Sequence, residues 1–203
     1  MLIHLDSYLV SFVAEYGSWT YLVVTAVIFC ETGLIVTPFL PGDSLLFALG
    51  TIAAQPTKPL NAIVLFVFLA SAAFFGNQVN YAVGRVIGPR LFARDHLRFI
   101  NKQNLLKAHA FYEKHGGKTI VFARFMPIIR TFVPFVAGLS AMEWYKFMLY
   151  NGVSAILWVG SLLGFGYFFG SLPIIKDHFA LVVYGIVIVS LLPSLVGILL
   201  SKE

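Results

Sequence analysis

The chain has 203 residues, of which 59% are hydrophobic and only 11% charged, with a formal net charge of +5. That composition excludes an ordinary water-soluble domain, in which about 25% of residues are charged. A single cysteine, Cys30, excludes an internal disulfide and a cysteine metal cluster, and reads as small apolar filler.

The first segment, 1–17, has no Lys or Arg and contains Asp6 and Glu15. It lacks the basic start and the small-x-small site of a cleaved signal, so it is expected to be an amphipathic entry segment. The next, 19–54, is apolar but carries Glu31, Pro38, Pro41, Gly42 and Asp43. Proline lacks an N–H and clashes with the preceding turn, so one continuous helix is not expected here. Segment 59–84 has no charged side chain. It exceeds the roughly 20 residues that a bilayer span needs.

Segment 85–118 holds eight of the fourteen Lys and Arg residues: Arg85, Arg90, Arg94, Arg98, Lys102, Lys107, Lys114 and Lys118. Excess basic charge in a short loop marks the cytoplasmic side. Topology alone accounts for it, with headgroup contact as a by-product, and no nucleic-acid partner is expected. Leu97, Ile100, Leu105, Ala108 and Tyr112 give the segment one partly apolar face. His115-Gly116-Gly117-Lys118-Thr119 falls short of a phosphate loop, because Tyr112 stands where its first glycine belongs.

Segment 119–146 mirrors 19–54. It carries Arg124, Pro127, Arg130, Pro134 and Gly138. Segments 147–175 and 179–201 are again free of charge and long enough to span. Gly160 and Gly164, and Gly166 and Gly170, have the spacing that lets membrane helices approach closely. Packing within one chain explains them first, and a homodimer is the alternative.

The expected fold is a single all-α integral membrane domain, a helix bundle with two opposed re-entrant hairpins at 19–54 and 119–146. Breaks fall at Pro38, Pro41, Gly42, Pro127, Pro134 and Gly138. In lipid, freed backbone groups must be satisfied by protein or trapped water, so both hairpins belong among the full spans. A soluble bundle would need three long hydrophobic helices in one small fold.

Ionisable groups at membrane depth cost several kcal/mol and persist where they pair or work. One hairpin supplies Glu31 and Asp43, the other Arg124 and Arg130, so the two are expected to meet. Broken segments in corresponding halves point to a transporter site. The planar fork of arginine suits phosphate, and half-helix N-termini would add N–H donors. A carboxylic acid in apolar surroundings holds its proton more readily, which makes Glu31 a candidate proton carrier. A structural salt bridge locking the hairpins is the other reading of the arginines. An N-cap is the other reading of Asp43. The five histidines are scattered and no HExxH or Cys/His spacing occurs, so no metal and no cofactor are expected. Without a nucleophile–base pair, neither is an enzyme.

These residues carry a resemblance. The stretches are Phe29-Cys30-Glu31-Thr32-Gly33, Thr37-Pro38-Phe39-Leu40-Pro41-Gly42-Asp43-Ser44, Tyr112-Glu113-Lys114-His115-Gly116-Gly117-Lys118-Thr119, and Ala123-Arg124-Phe125-Met126-Pro127-Ile128-Ile129-Arg130-Thr131 through Ala137-Gly138. Together they resemble the DedA family of membrane proteins, in the VTT-domain (SNARE-associated) superfamily, and most of all its bacterial founding subgroup. The resemblance covers nearly the whole chain. It implies a bacterial inner-membrane protein that moves lipids, including polyprenyl phosphate and phospholipids, with the proton-motive force involved. The family's essential acidic and arginine positions match Glu31, Asp43, Arg124 and Arg130. The sequence departs from the family where Asn77 follows Gly76, since many members have an acidic residue there.

The leading expectation is therefore a lipid-phosphate transporter. Arg124 and Arg130 would hold the phosphate, and Glu31 and Asp43 would carry or sense protons. An ion/proton antiporter and a non-transporting membrane scaffold are the rivals. The basic linker and the C-terminus are expected in the cytoplasm.

Overall fold

The structure is a computed structural model of the chain and describes residues 13, 15–34, 42–56, 60–92, 117–170, 172, 182 and 185. Among them every regular element is an α-helix: α1 Trp19–Gly33, α2 Gly42–Ala53, α3 Ala62–Phe92, α4 Lys118–Ala123, α5 Pro127–Leu139 and α6 Trp144–Phe169. The expected features at 1–12, Pro38, Pro41, 93–116 and most of 179–201 lie outside the described residues.

Two of the helices are long and apolar enough to cross a membrane. They are the 26-residue stretches Ala62–Ile87 of α3 and Trp144–Phe169 of α6. At 1.5 Å per residue each reaches about 39 Å, against roughly 30 Å of hydrocarbon. Only 33% of the apolar 18-residue window in each is buried, and the outward side chains are large and apolar: Ile63, Val67, Phe68 and Phe75 on α3, and Ile156, Leu157, Phe165 and Phe168 on α6. A continuous apolar exterior of this size marks a surface covered by something other than water. By contrast, α1, α2 and α5 have 15, 12 and 13 residues. The longest of them reaches about 23 Å, too short to span alone.

Both spanning helices depart from the boundaries that charge suggested. The helix expected over 59–84 continues through Arg85 to Phe92. There the guanidinium Nη1 donates to Tyr81 Oη one turn back, at 2.8 Å, and to the Met142 carbonyl, at 3.3 Å, so the charge is held rather than ending the helix. Its start is capped by Asn61 Oδ1, which accepts from the N–H groups of Ile63 and Val64. The helix expected over 147–175 starts at Trp144 rather than 147. Lys146, which had set the sequence boundary, pairs with Glu143 at 3.0 Å on the exposed first turn.

The break in segment 119–146 also differs from expectation. The chain breaks at 124–126, with Met126 extended (φ −110°, ψ 105°) and Pro127 opening α5, the position where a missing N–H costs nothing. The helix then runs on through Pro134 and Gly138. Gly138 serves packing instead: a side chain there would strike the Tyr81 carbonyl of α3, and one at Gly84 would strike the Phe135 carbonyl of α5. The same arrangement joins α2 to α6, where Gly50 faces the Leu163 carbonyl and Gly166 faces the Phe47 carbonyl. Small residues at such crossings let backbones touch, which is how helices associate where lipid removes the hydrophobic drive. So Gly166 of the glycine pairs works inside the chain, whereas Gly164 faces open space.

Two apolar clusters result. One gathers Ile28 of α1, Leu46 and Leu49 of α2, Leu65 and Leu69 of α3, and Trp158 of α6. The other surrounds Tyr81 and Phe147, whose rings stack at 4.3 Å between centroids. Nearly all of α2 is buried.

Candidate functional site

Glu31 stands in the last turn of α1 and is fully buried. Asp43 stands in the first turn of α2, inside the helix rather than at the cap position expected for it. Arg130 stands one turn into α5, its backbone N–H bonded to the Met126 carbonyl at 2.9 Å. These three side chains meet. One arm of the Arg130 guanidinium, Nη1, donates to Asp43 Oδ1 at 2.7 Å, and the other, Nη2, pairs with Glu31 Oε1. The fork therefore clamps one carboxylate with each arm. Gly42 makes the approach possible, because any side chain there would collide with the Glu31 carboxylate.

Arg124, at the end of α4, is also buried, but its partners are neutral. Nη1 donates to Asn151 Oδ1 at 2.9 Å and to Ser154 Oγ at 3.1 Å, and Nη2 donates to the Ala73 carbonyl at 2.9 Å. Trp158 lies between the two systems. Its ring centroid is 5.4 Å from Arg124 Cζ and 5.0 Å from Arg130 Cζ, within cation–π range. Its indole Nε1–H donates to Asp43 Oδ1 at 2.9 Å.

A shell of amides surrounds the charges. The Asn77 amide matches donors to acceptors with its oxygen toward Arg124 Nη1, 3.0 Å away, and its nitrogen toward the Thr32 carbonyl, 3.3 Å away. Asn80 donates to the Thr131 carbonyl at 2.7 Å. Four buried polar atoms here have no hydrogen-bond partner among the described residues: Nε of Arg124, Nε of Arg130, Oε2 of Glu31 and Oδ1 of Asn80. Two carboxylates and two guanidiniums cancel in formal charge. The site nonetheless keeps donors and acceptors in reserve, which it can offer to a ligand or to water.

Thus the structure brings together Glu31, Asp43 and Arg130, and holds Arg124 next to them across one indole ring. Of the break residues, Gly42 and Pro127 flank the site. Pro134 sits one turn beyond Arg130 and, lacking an N–H, cannot serve the Arg130 carbonyl. Trp158, Asn151, Ser154 and Asn80 were not singled out from sequence. The signal was present: 151, 154 and 158 share one helical face by the 3.6-residue period, and two of the three are polar within an apolar block.

A VTT domain matches residues 40–168. The chain is 47% identical to Protein DedA of Escherichia coli (strain K12), over 100% of this chain and 92% of that protein. It is 43% identical to the uncharacterized membrane protein Rv0364 of Mycobacterium tuberculosis (strain ATCC 25618 / H37Rv), over 90% of this chain and 80% of that one. It is 33% identical to the inner membrane protein YqjA of Escherichia coli (strain K12), over 78% and 71%. No solved structure matches.

Proposed function

Since the chain belongs to the DedA family of VTT-domain membrane proteins, we propose that it moves a phosphate-bearing lipid across the bacterial inner membrane, coupled to protons. The observation that carries this reading is the clamp of Arg130 on Glu31 and Asp43 beside an Arg124 that holds only neutral partners among the described residues.

A buried ion pair contributes little net stability, because desolvation offsets most of the Coulomb gain. A cluster of four such groups in a membrane protein is therefore better explained by work than by support. Protonating the carboxylates would free the arms of Arg130. Arg124 and Arg130 together would then face a phosphate with two planar forks, the geometry that suits that group. Loss of the proton would restore the clamp and expel the anion. The ligand is a polyprenyl phosphate or a phospholipid, and the partners are membrane lipid and protons.

In this reading α1–α2 and α4–α5 are re-entrant hairpins opening to opposite sides. Neither α1 nor α5 spans alone, and backbone broken at membrane depth is tolerated where protein buries it. The basic segment 85–118 and the C-terminus lie in the cytoplasm. Labelling of a cysteine at position 107 in a Cys30→Ala background checks this. Label reaching it from outside intact cells overturns the orientation.

One observation favours a second reading. Arg130 already pairs with both carboxylates, as an internal counter-charge in an ion/proton antiporter would. Proteoliposomes loaded with labelled polyprenyl phosphate, with and without a pH gradient, separate the two. Gradient-dependent lipid movement supports the lipid carrier. Cation flux without lipid movement supports the antiporter.

A further inference from the structure

A second feature lies on the outer flank, away from the ion cluster. Between α3 and the start of α6 runs an open groove of about 620 Å³, lined by Phe74, Phe75, Gln78, Val79, Ala82, Arg85, Trp144 and Met148 among others. From Phe74 to Val86 it follows α3 for about 18 Å, by the rise of 1.5 Å per residue. Its walls are apolar except at two points. Gln78 has a buried Nε2 with no hydrogen-bond partner among the described residues. Arg85 stands at the other end, exposed, two residues short of the end of the spanning stretch at Ile87.

The occupant follows from where the groove lies. It faces outward between two helices long and apolar enough to span a membrane, so hydrocarbon surrounds its body. Its Arg85 end coincides with Trp144, the first residue of α6. Indole and guanidinium groups at the ends of spanning helices sit at headgroup level. Arg85 is anchored there through Nη1 alone, which donates to Tyr81 Oη and the Met142 carbonyl. Its other arm has no partner among the described residues.

We propose that this groove is a binding site for a phospholipid with a net negative headgroup. One acyl chain lies along α3 from Val86 toward Phe74, and the phosphate meets the free arm of Arg85. The site is independent of the transport reading, because it uses none of the residues of the ion cluster.

Native mass spectrometry of the purified protein in micelles containing equal amounts of phosphatidylglycerol and phosphatidylcholine, with identical chains, tests it. Retained phosphatidylglycerol should exceed phosphatidylcholine by about fivefold, the size expected of one basic side chain at a membrane surface. Arg85→Gln should erase that preference. Ala82→Phe fills the groove from an exposed position and should lower retention of both lipids, which keeps the test decisive if Arg85→Gln folds poorly. Excess inorganic phosphate should not displace the lipid. Equal retention of the two lipids by the native chain overturns the proposal. So does a preference that survives Arg85→Gln, retention unchanged by Ala82→Phe, or displacement by phosphate alone.

Discussion

The indole nitrogen of Trp158 donates to Oδ1 of Asp43 at 2.9 Å, the same oxygen that Arg130 Nη1 reaches at 2.7 Å. Asp43 is thus held by a charged donor and a neutral one, and only the charged donor is shared with Glu31. The Trp158 contact does not run through Arg130, so in the proposed transport cycle it can keep Asp43 oriented when the clamp opens.

Replacing Trp158 tests that role. Trp158→Phe keeps an aromatic face for the guanidiniums but removes the N–H. A hydrogen bond to a charged group contributes about 1.5–3 kcal/mol, so the melting temperature in detergent should fall. Trp158→Leu removes the ring as well and should melt lower still, since each lost cation–π contact costs about 0.5–2 kcal/mol more. Equal melting temperatures for the two variants would mean that the ring contacts contribute nothing.

Arg130→Lys keeps the charge and loses the fork. An ammonium group lacks the planar pair of arms with which Arg130 meets two carboxylates. Transport in proteoliposomes should drop by about tenfold or more, the size of one lost charge-assisted hydrogen bond. Arg124→Lys should behave alike if phosphate is held by both. Native rates in both variants would reduce the arginines to counter-charges and favour the antiporter.

Glu31→Gln separates proton coupling from support. The amide oxygen can still accept from Arg130, which keeps Asp43 as its charged partner, so the fold should tolerate the change. A neutral amide is also cheaper at membrane depth than a carboxylate. Turnover driven by a pH gradient should stop, while lipid binding persists. The measurement is paired, melting temperature and transport on one preparation. A strongly lowered melting temperature, or unchanged gradient dependence, excludes Glu31 as the coupling group.

The glycine crossings give a prediction about folding. Gly166→Ala puts a methyl group against the Phe47 carbonyl and should cost about 1–3 kcal/mol or more. It should appear as loss of monodisperse protein on size-exclusion chromatography. Gly164→Ala adds a methyl in open space. Ala exceeds Gly in helix propensity by about 1 kcal/mol, so it should be neutral or stabilising. A reversed order would mean that the two helices do not cross as described.

Much of this was legible in the residues. The two long apolar helices announced themselves through missing charge, and the meeting of Glu31 and Asp43 with Arg130 followed from opposite charges on two proline-bearing segments. What charge could not reveal was where a helix tolerates it. Arg85 and Lys146 read as boundaries, yet Tyr81 and the Met142 carbonyl hold the first, and Glu143 pairs with the second in an exposed turn. Pro134 and Gly138 read as breaks because local rules treat them so, whereas Gly138 is spent on a crossing that only the partner helix reveals. Trp158 was hidden for another reason. In a block rich in aromatics nothing local distinguishes the one whose N–H has an acceptor, and that acceptor is 115 residues away in the chain.

The backbone contacts at the glycines also divide the molecule. Gly50 and Gly166 fasten α2 to α6, and Gly84 and Gly138 fasten α3 to α5. Gly33 lies against the Gly76 backbone and fastens α1 to α3. Interlocked main chains have no slack to slide, so α2 with α6 forms one half, and α1, α3 and α5 form the other. The polar network is not shared evenly between them. Glu31 and Arg130 belong to one half, and Asp43, Trp158, Asn151 and Ser154 to the other. A rocking motion that parts the halves must break Arg130–Asp43 and cost Arg124 either its bond to Ala73 of α3 or its bonds to Asn151 and Ser154 of α6, while Arg130–Glu31 and Trp158–Asp43 travel intact. The seam along which the bundle can open is therefore the line along which its buried charges are sewn together.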